Sequence, residues 1–291
     1  MTVPAIRTNL EGSCSQGTTS SVTLCRVLTD DVKQDHSRAT LRQGASKVPE
    51  VTVAFWIIKA LTTGMGESSS DYLVHRLPPV LAVALGAIAL AVALVLQFAA
   101  RRYVPWTYWL AVAMVGVFGT MAADVLHVGL GVPYLVSTAF FAVSLAAIFG
   151  VWYGSEKTLS IHSIHTRRRE AFYWAAVMTT FALGTAAGDM TAITLHLGYL
   201  SSGVLFAVVI AIPAVAHWRF GMNPILAFWF AYVATRPLGA SFADWMGVSH
   251  VRGGLDLGAG LVSLALAILI MGFVTYLSVT PTDRDALPER P

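Results

Sequence analysis

Five carboxylates stand where an apolar chain tolerates them least. Asp71, Asp124, Asp189 and Asp244 each lie inside a long hydrophobic stretch, fifteen residues after a tryptophan and five after a glycine. The sets are Trp56–Gly66–Asp71, Trp109–Gly119–Asp124, Trp174–Gly184–Asp189 and Trp229–Gly239–Asp244. The fifth carboxylate, Glu67, precedes Asp71 by four. Ionisable groups at such depth are costly, face the interior of a bundle, and mark ion or proton paths. Nucleophilic and phosphate chemistry have no such footing, because no H-E-x-x-H, G-x-S-x-G, C-x-x-C or phosphate-loop pattern occurs.

One helical turn before each aspartate stands Glu67, Thr120, Thr185 or Ala240, a spacing that puts both side chains on one face. The first set extends this stripe through Lys59, Thr63, Glu67 and Asp71, with Ser68 beside it. The fourth set adds Arg236 and Pro237, the latter expected to bend its helix and free a carbonyl. The candidate ion-binding residues are therefore Glu67, Asp71, Asp124, Asp189, Asp244, Ser68, Thr63, Thr120 and Thr185, with Lys59 and Arg236 as internal counter-charges. A histidine follows each aspartate at an unequal offset: His75, His127, His196 and His250. Imidazole with carboxylate suits a divalent transition metal, which makes these four candidate metal ligands and such an ion the one candidate cofactor. The competing reading is four unrelated interfacial histidines.

The elements that must carry these residues follow from composition. Apolar residues make up 56% of the chain and charged ones 12%, which excludes disorder and points to a membrane protein. The apolar residues fall into eight runs, about 51–73, 79–100, 106–127, 132–153, 171–194, 198–218, 223–246 and 255–278, each near the roughly 20 residues that span a bilayer. The fold class expected is an all-α membrane protein of eight transmembrane helices, arranged as four parallel two-helix repeats around a central axis. The repeats cover about 47–102, 103–157, 168–219 and 221–279 within a transmembrane domain of residues 47–279. Odd helices carry the tryptophan, glycine and aspartate; even helices are plainer.

Arg101, Arg102, Lys157, Arg167, Arg168, Arg169 and Arg219 flank one side of the runs, whereas Arg76 and Arg252 are nearly alone on the other. The positive-inside rule then places both termini in the cytoplasm. On that side Trp56, Trp109, Trp174 and Trp229 open the odd helices, at the headgroup level that tryptophan favours, and are expected as interfacial anchors. Fifteen residues of helix raise each aspartate about 22 Å above its tryptophan, into the outer half of a core about 30 Å thick. The repeated glycines are expected to let helices approach closely. Residues 1–46 are polar, carry Cys14 and Cys25, and are expected to form a disordered cytoplasmic tail, with 280–291 as a second tail.

These residues resemble a bacterial integral membrane protein family built of four tandem repeats of unknown function, each with two membrane spans and a tryptophan. The segment from Lys47-Val48-Pro49-Glu50 through Gly66-Glu67-Ser68-Ser69-Ser70-Asp71-Tyr72 looks like that family's opening repeat. The resemblance covers about residues 47–279 and implies architecture and the four tryptophans, not an activity. It implies a bacterial inner (cytoplasmic) membrane location.

The function expected from the carboxylates is transport of a cation, most specifically a divalent metal ion, by efflux or proton-coupled exchange. A proton-coupled transporter of a small organic anion held by Lys59 and Arg236 is one alternative; a membrane-embedded metal- or haem-binding enzyme is another. No catalytic residue is assigned. Expected partners are the lipid bilayer, a small ion or small-molecule substrate and a second copy of the chain; nucleic acid is not among them.

Overall fold

Eight long helices make up the fold, seen in a computed structural model that describes residues 46–279. The two tails, with Cys14 and Cys25, lie outside the described residues. The helices are α1 (Val53–Arg76), α2 (Pro79–Ala99), α3 (Pro105–Asp124), α4 (Tyr134–Glu156), α5 (Arg167–Asp189), α6 (Tyr199–Phe220), α7 (Pro224–Gly247) and α8 (Ala259–Val279). Among the described residues there is no strand.

Their starts follow local chemistry. Thr52 caps α1 by accepting from the Phe55 amide, Thr166 caps α5 through Arg169, and Asn223 caps α7 through Ile225 and Leu226. These side chains satisfy first-turn amides that have no partner within the helix. Helices α2, α3 and α7 begin with proline, which loses nothing at a position whose amide would be free anyway.

Six of the eight, α2, α3, α4, α6, α7 and α8, are long and apolar enough to cross a membrane. Helices α1 and α5 match them in length but not in composition. Lys59, Glu67, Asp71 and Arg76 interrupt the first, and Arg167, Arg168, Arg169, Glu170 and Asp189 crowd the ends of the second.

The odd helices form a closed cycle of neighbours: α1 packs on α3, α3 on α5, α5 on α7 and α7 on α1. Each even helix packs mainly on the odd helix that follows it, α2 on α3, α4 on α5 and α6 on α7, while α8 returns to α1. Helices adjacent in sequence within one Trp–Gly–Asp set touch each other less. Burial agrees: each odd helix has 10 to 12 buried residues, whereas each even helix has five or fewer and leaves large apolar residues such as Val80, Val143, Val208 and Leu264 exposed.

The repeated glycines explain how four helices come this close. A Cβ on Gly66 would lie 2.7 Å from the Gly116 backbone, and one on Gly119 would lie 2.8 Å from the Phe181 Cβ. On Gly184 it would strike the Arg236 stem, and on Gly239 the Thr63 side chain. Gly116, Phe181, Arg236 and Thr63 all stand eight residues before their own aspartate. The same contact thus recurs at every joint of the cycle, as small residues allow between membrane helices.

Candidate functional site

At the tryptophan end the cycle is shut by eight rings. In each odd helix the residue before the tryptophan is also aromatic: Phe55, Tyr108, Tyr173 and Phe228. Each of these rings packs on the tryptophan of the next odd helix. Phe55 meets Trp109 at 5.6 Å between centroids, Tyr108 meets Trp174 at 5.7 Å, Tyr173 meets Trp229 at 6.1 Å, and Phe228 closes on Trp56 at 5.8 Å. Within each helix the two rings stand nearly edge to face, an arrangement that aromatic quadrupoles favour. Trp109, Trp174 and Trp229 are buried within the protein, and Trp56 is partly so. This corrects the expectation that the four tryptophans anchor the helices toward lipid headgroups: their rings are turned inward, where each covers the joint between two helices. Trp229 Nε1 donates to the Leu159 carbonyl at 2.9 Å, tying α7 to the loop between α4 and α5. Beside this floor, burial holds the Tyr103 hydroxyl up at about 12, so it stays a neutral phenol.

Above the floor lies Lys59, fully buried. Its Nζ has no hydrogen-bond partner and sits over two rings, 4.0 Å from the centroid of Phe181 and 4.2 Å from that of Tyr232. Lys59 is therefore not the counter-charge to a carboxylate that the sequence suggested; π faces hold it, an attraction strengthened by the absence of water.

The next layer is a polar cluster on the axis of the odd helices. Arg236 Nη2 donates to Glu67 Oε2 at 2.6 Å and to Thr185 Oγ1 at 2.8 Å, and also to Thr120 Oγ1. Its Nη1 donates to the Thr63 carbonyl at 3.0 Å. Thr120 and Thr185 in turn approach Glu67 Oε2 at 3.1 and 3.3 Å. Arg236 and Glu67 are both buried, at 0% and 4% exposure. Four helices contribute to this one cluster: α1 brings Glu67 and Thr63, α3 Thr120, α5 Thr185 and α7 Arg236. In α7 the position matching Glu67, Thr120 and Thr185 is Ala240, and Arg236, one turn back, reaches up to supply the fourth polar group. Ser68 does not join, because its hydroxyl is bonded to the Gly64 carbonyl of its own helix.

One turn further on come Asp71, Asp124, Asp189 and Asp244, all partly exposed. The charges of Glu67 and Arg236 act on all four, and the aspartates act on one another. None has an ion pair among the described residues. Asp124 and Asp189 end the regular part of their helices, and each is followed by a π-helical turn, Val125–Gly129 and Met190–Thr194. Such turns are uncommon and recur at functional sites; nothing in the sequence announced them.

The four histidines are not brought together. His75 bonds to the Asp71 carbonyl and His250 to the Gly254 carbonyl, His127 is buried against Ser137, and His196 lies in an exposed turn with a positive φ of 54°. Among the described residues no three His, Cys, Asp or Glu side chains are grouped so as to hold a metal ion. A separate cavity of about 390 Å³ between α1, α6 and α7 is lined by apolar residues such as Ile210, Pro213 and Phe228, and no Asp or Glu is in its wall.

The fourfold recurrence of ring, glycine contact and aspartate has a counterpart among known sequences. The family described as Repeat of Unknown Function (DUF347) matches residues 54–103, 107–158, 172–223 and 227–282, most of the chain. The chain belongs to this family. Each of the four DUF347 matches begins within two residues of a Trp–Gly–Asp tryptophan and takes in one odd and one even helix. No curated protein and no solved structure matches the chain.

Proposed function

We propose that this DUF347 protein is a membrane transporter of small cations. The observation that carries the reading is the set of four partly exposed aspartates without ion-pair partners among the described residues, one on each odd helix, a turn beyond the level of the buried Glu67–Arg236 pair. Five carboxylates against Arg236 and Lys59 leave the axis negative when all are ionised, a field that draws cations. In this reading all eight helices span the membrane, with the four repeats running parallel around that axis. The partly polar α1 and α5 are tolerable as spans because their charges face protein instead of lipid.

The aspartates form the capture site, the Glu67 cluster the gate beneath it, and the aromatic floor the seal on the far side. The conformation described is then the one open on the aspartate side. The basic loops put the floor and both termini at the cytoplasm of a bacterial inner membrane. Divalent metal ions are the first substrates to test, carried by efflux or in exchange for protons, since hard cations take carboxylate oxygens.

The organic-anion reading has less support. The Arg236 guanidinium is already engaged by Glu67, two threonines and a carbonyl, and Lys59 is enclosed by rings. Proteoliposomes loaded with a fluorescent divalent-ion or pH reporter test the proposal. Cation-dependent flux is expected in the wild type, with Asp71→Asn and Asp189→Asn each lowering it about tenfold or more, as loss of roughly 1.4 kcal/mol or more of binding implies. Flux unchanged in both variants overturns the aspartate site.

A further inference from the structure

The oxygens around the Arg236 guanidinium form a site in their own right. They are Glu67 Oε2 at 2.6 Å, Thr185 Oγ1 at 2.8 Å, the Thr63 carbonyl at 3.0 Å, and Thr120 Oγ1. The carboxylate and the two hydroxyls, from three helices, converge on Nη2, and the carbonyl faces the neighbouring Nη1; together they are the kind of oxygen set that hard cations take. The group occupying it belongs to the fourth helix. Its stem lies in the notch left by Gly184, its Cζ sits over the Phe181 ring at 5.0 Å from the centroid, and its Nε is buried without a hydrogen-bond partner. One donor of the guanidinium is therefore unused in this position, so the fit to the cluster is incomplete. Glu67 Oε2, in contrast, faces three partners, Arg236 Nη2 and the Thr120 and Thr185 hydroxyls.

We infer that Glu67, Thr120, Thr185 and the Thr63 carbonyl form a cation-binding site, and that Arg236 is its tethered occupant in this conformation, displaced when a free small cation arrives. The aspartates, one helical turn beyond Glu67, Thr120 and Thr185 and without ion-pair partners among the described residues, give the displaced arginine a destination. Exchange of one cation for another keeps Glu67 neutralised throughout, so no step leaves a buried carboxylate alone, which is the costly state. Pro237, directly after Arg236, interrupts the hydrogen bonding of α7 at the place where the side chain must swing. The inference rests on the transport reading for its purpose, but the site itself is testable without transport.

Arg236→Ala empties the site, and free guanidinium chloride is the probe, since it is the same ion without its tether. Purified in detergent, the variant is expected to unfold at a lower temperature than wild type. Low-millimolar guanidinium is expected to raise that temperature saturably, as binding to the folded state must. Equal concentrations of urea, the uncharged analogue, and of choline chloride, too large for the site, are expected to have no such effect. Adding Glu67→Gln to Arg236→Ala removes the rise. Absence of any guanidinium-specific rise in Arg236→Ala, or an equal rise in the double variant, overturns the site.

Where Arg236→Ala does not fold, wild-type protein is titrated with sodium, magnesium and manganese chlorides against choline chloride. A saturable shift that Glu67→Gln abolishes is expected from at least one, and no shift from any of them overturns the displacement. Guanidinium rescue without flux in proteoliposomes would remove the transport reading and leave the site. Flux lost in the aspartate variants without guanidinium rescue would do the reverse.

Discussion

Arg236 and Glu67 illustrate what a buried pair does and does not contribute. Desolvating both ions costs about as much as their attraction returns, so the pair as a whole adds little; removing one partner strands the other. Arg236→Met is therefore expected to destabilise by about 3–5 kcal/mol, whereas Glu67→Gln with Arg236→Met loses clearly less; thermal unfolding in detergent distinguishes them. The glycines make an equally local claim. Gly239→Ala drives a methyl into Thr63 and is expected to cost about 1–3 kcal/mol, as overpacking does. Gly150→Ala, on α4 with nothing within 4 Å, is expected to be neutral or slightly stabilising in the same assay. At this scale much was legible in sequence. Glu67, Thr120, Thr185 and Arg236 were all candidates by helical spacing, and the structure does gather them. Lys59 was misjudged because an ammonium can be held by ring faces, which leave no charge pattern to read. The ring before each tryptophan was visible as Phe55, Tyr108, Tyr173 and Phe228, yet its use depends on a neighbour more than fifty residues away.

At the scale of the helix, the surprise is partnership. Four two-helix repeats were expected, but α2, α4 and α6 each lean on the odd helix of the next repeat and α8 on the first. Hydrophobic periodicity reports that a face is buried and not against what, so this could not be read from one sequence. The same limit explains the tryptophans: an indole near a helix start fits a headgroup and a protein joint equally well until neighbours are known. The floor gives a graded test. Trp229 donates to Leu159, whereas Trp174 Nε1 has no partner. Trp229→Phe is therefore expected to cost about 0.5–1.5 kcal/mol more than Trp174→Phe, the net value of one hydrogen bond, again by thermal unfolding. A further tie sits at the same end. Lys47, just before α1, pairs with the buried Glu170 at the start of α5 at 2.7 Å, and Gln97 at the end of α2 donates to both, at 3.4 Å to the Lys47 carbonyl and 3.2 Å to Glu170 Oε1. Three separate stretches of chain are clasped there.

For the whole molecule, the fourfold recurrence was the most readable property, because identical spacings survive in sequence even where side chains differ. Membrane character was equally plain from composition. The departures from symmetry were harder: a carboxylate in the first set, an arginine in the fourth, and threonines between them become one cluster only when the cycle closes. Closure also makes a prediction about the chain as a unit. Residues 1–157 and 158–291 are joined by a single loop but touch through α3 with α5, α4 with α5, and α1 with both α7 and α8. Expressed together as two polypeptides, they are expected to co-purify through a tag on either half; separate elution would show that the joints are weaker than their packing implies.

The return of α8 to α1 has a consequence for how the protein is made. Of the eight described helices, α1 leaves the ribosome first with Lys59, Glu67 and Asp71 on it, yet its outer cover is α8, the eighth, and Arg236 arrives only with α7. Packing of that segment must therefore remain provisional until the eighth helix has emerged.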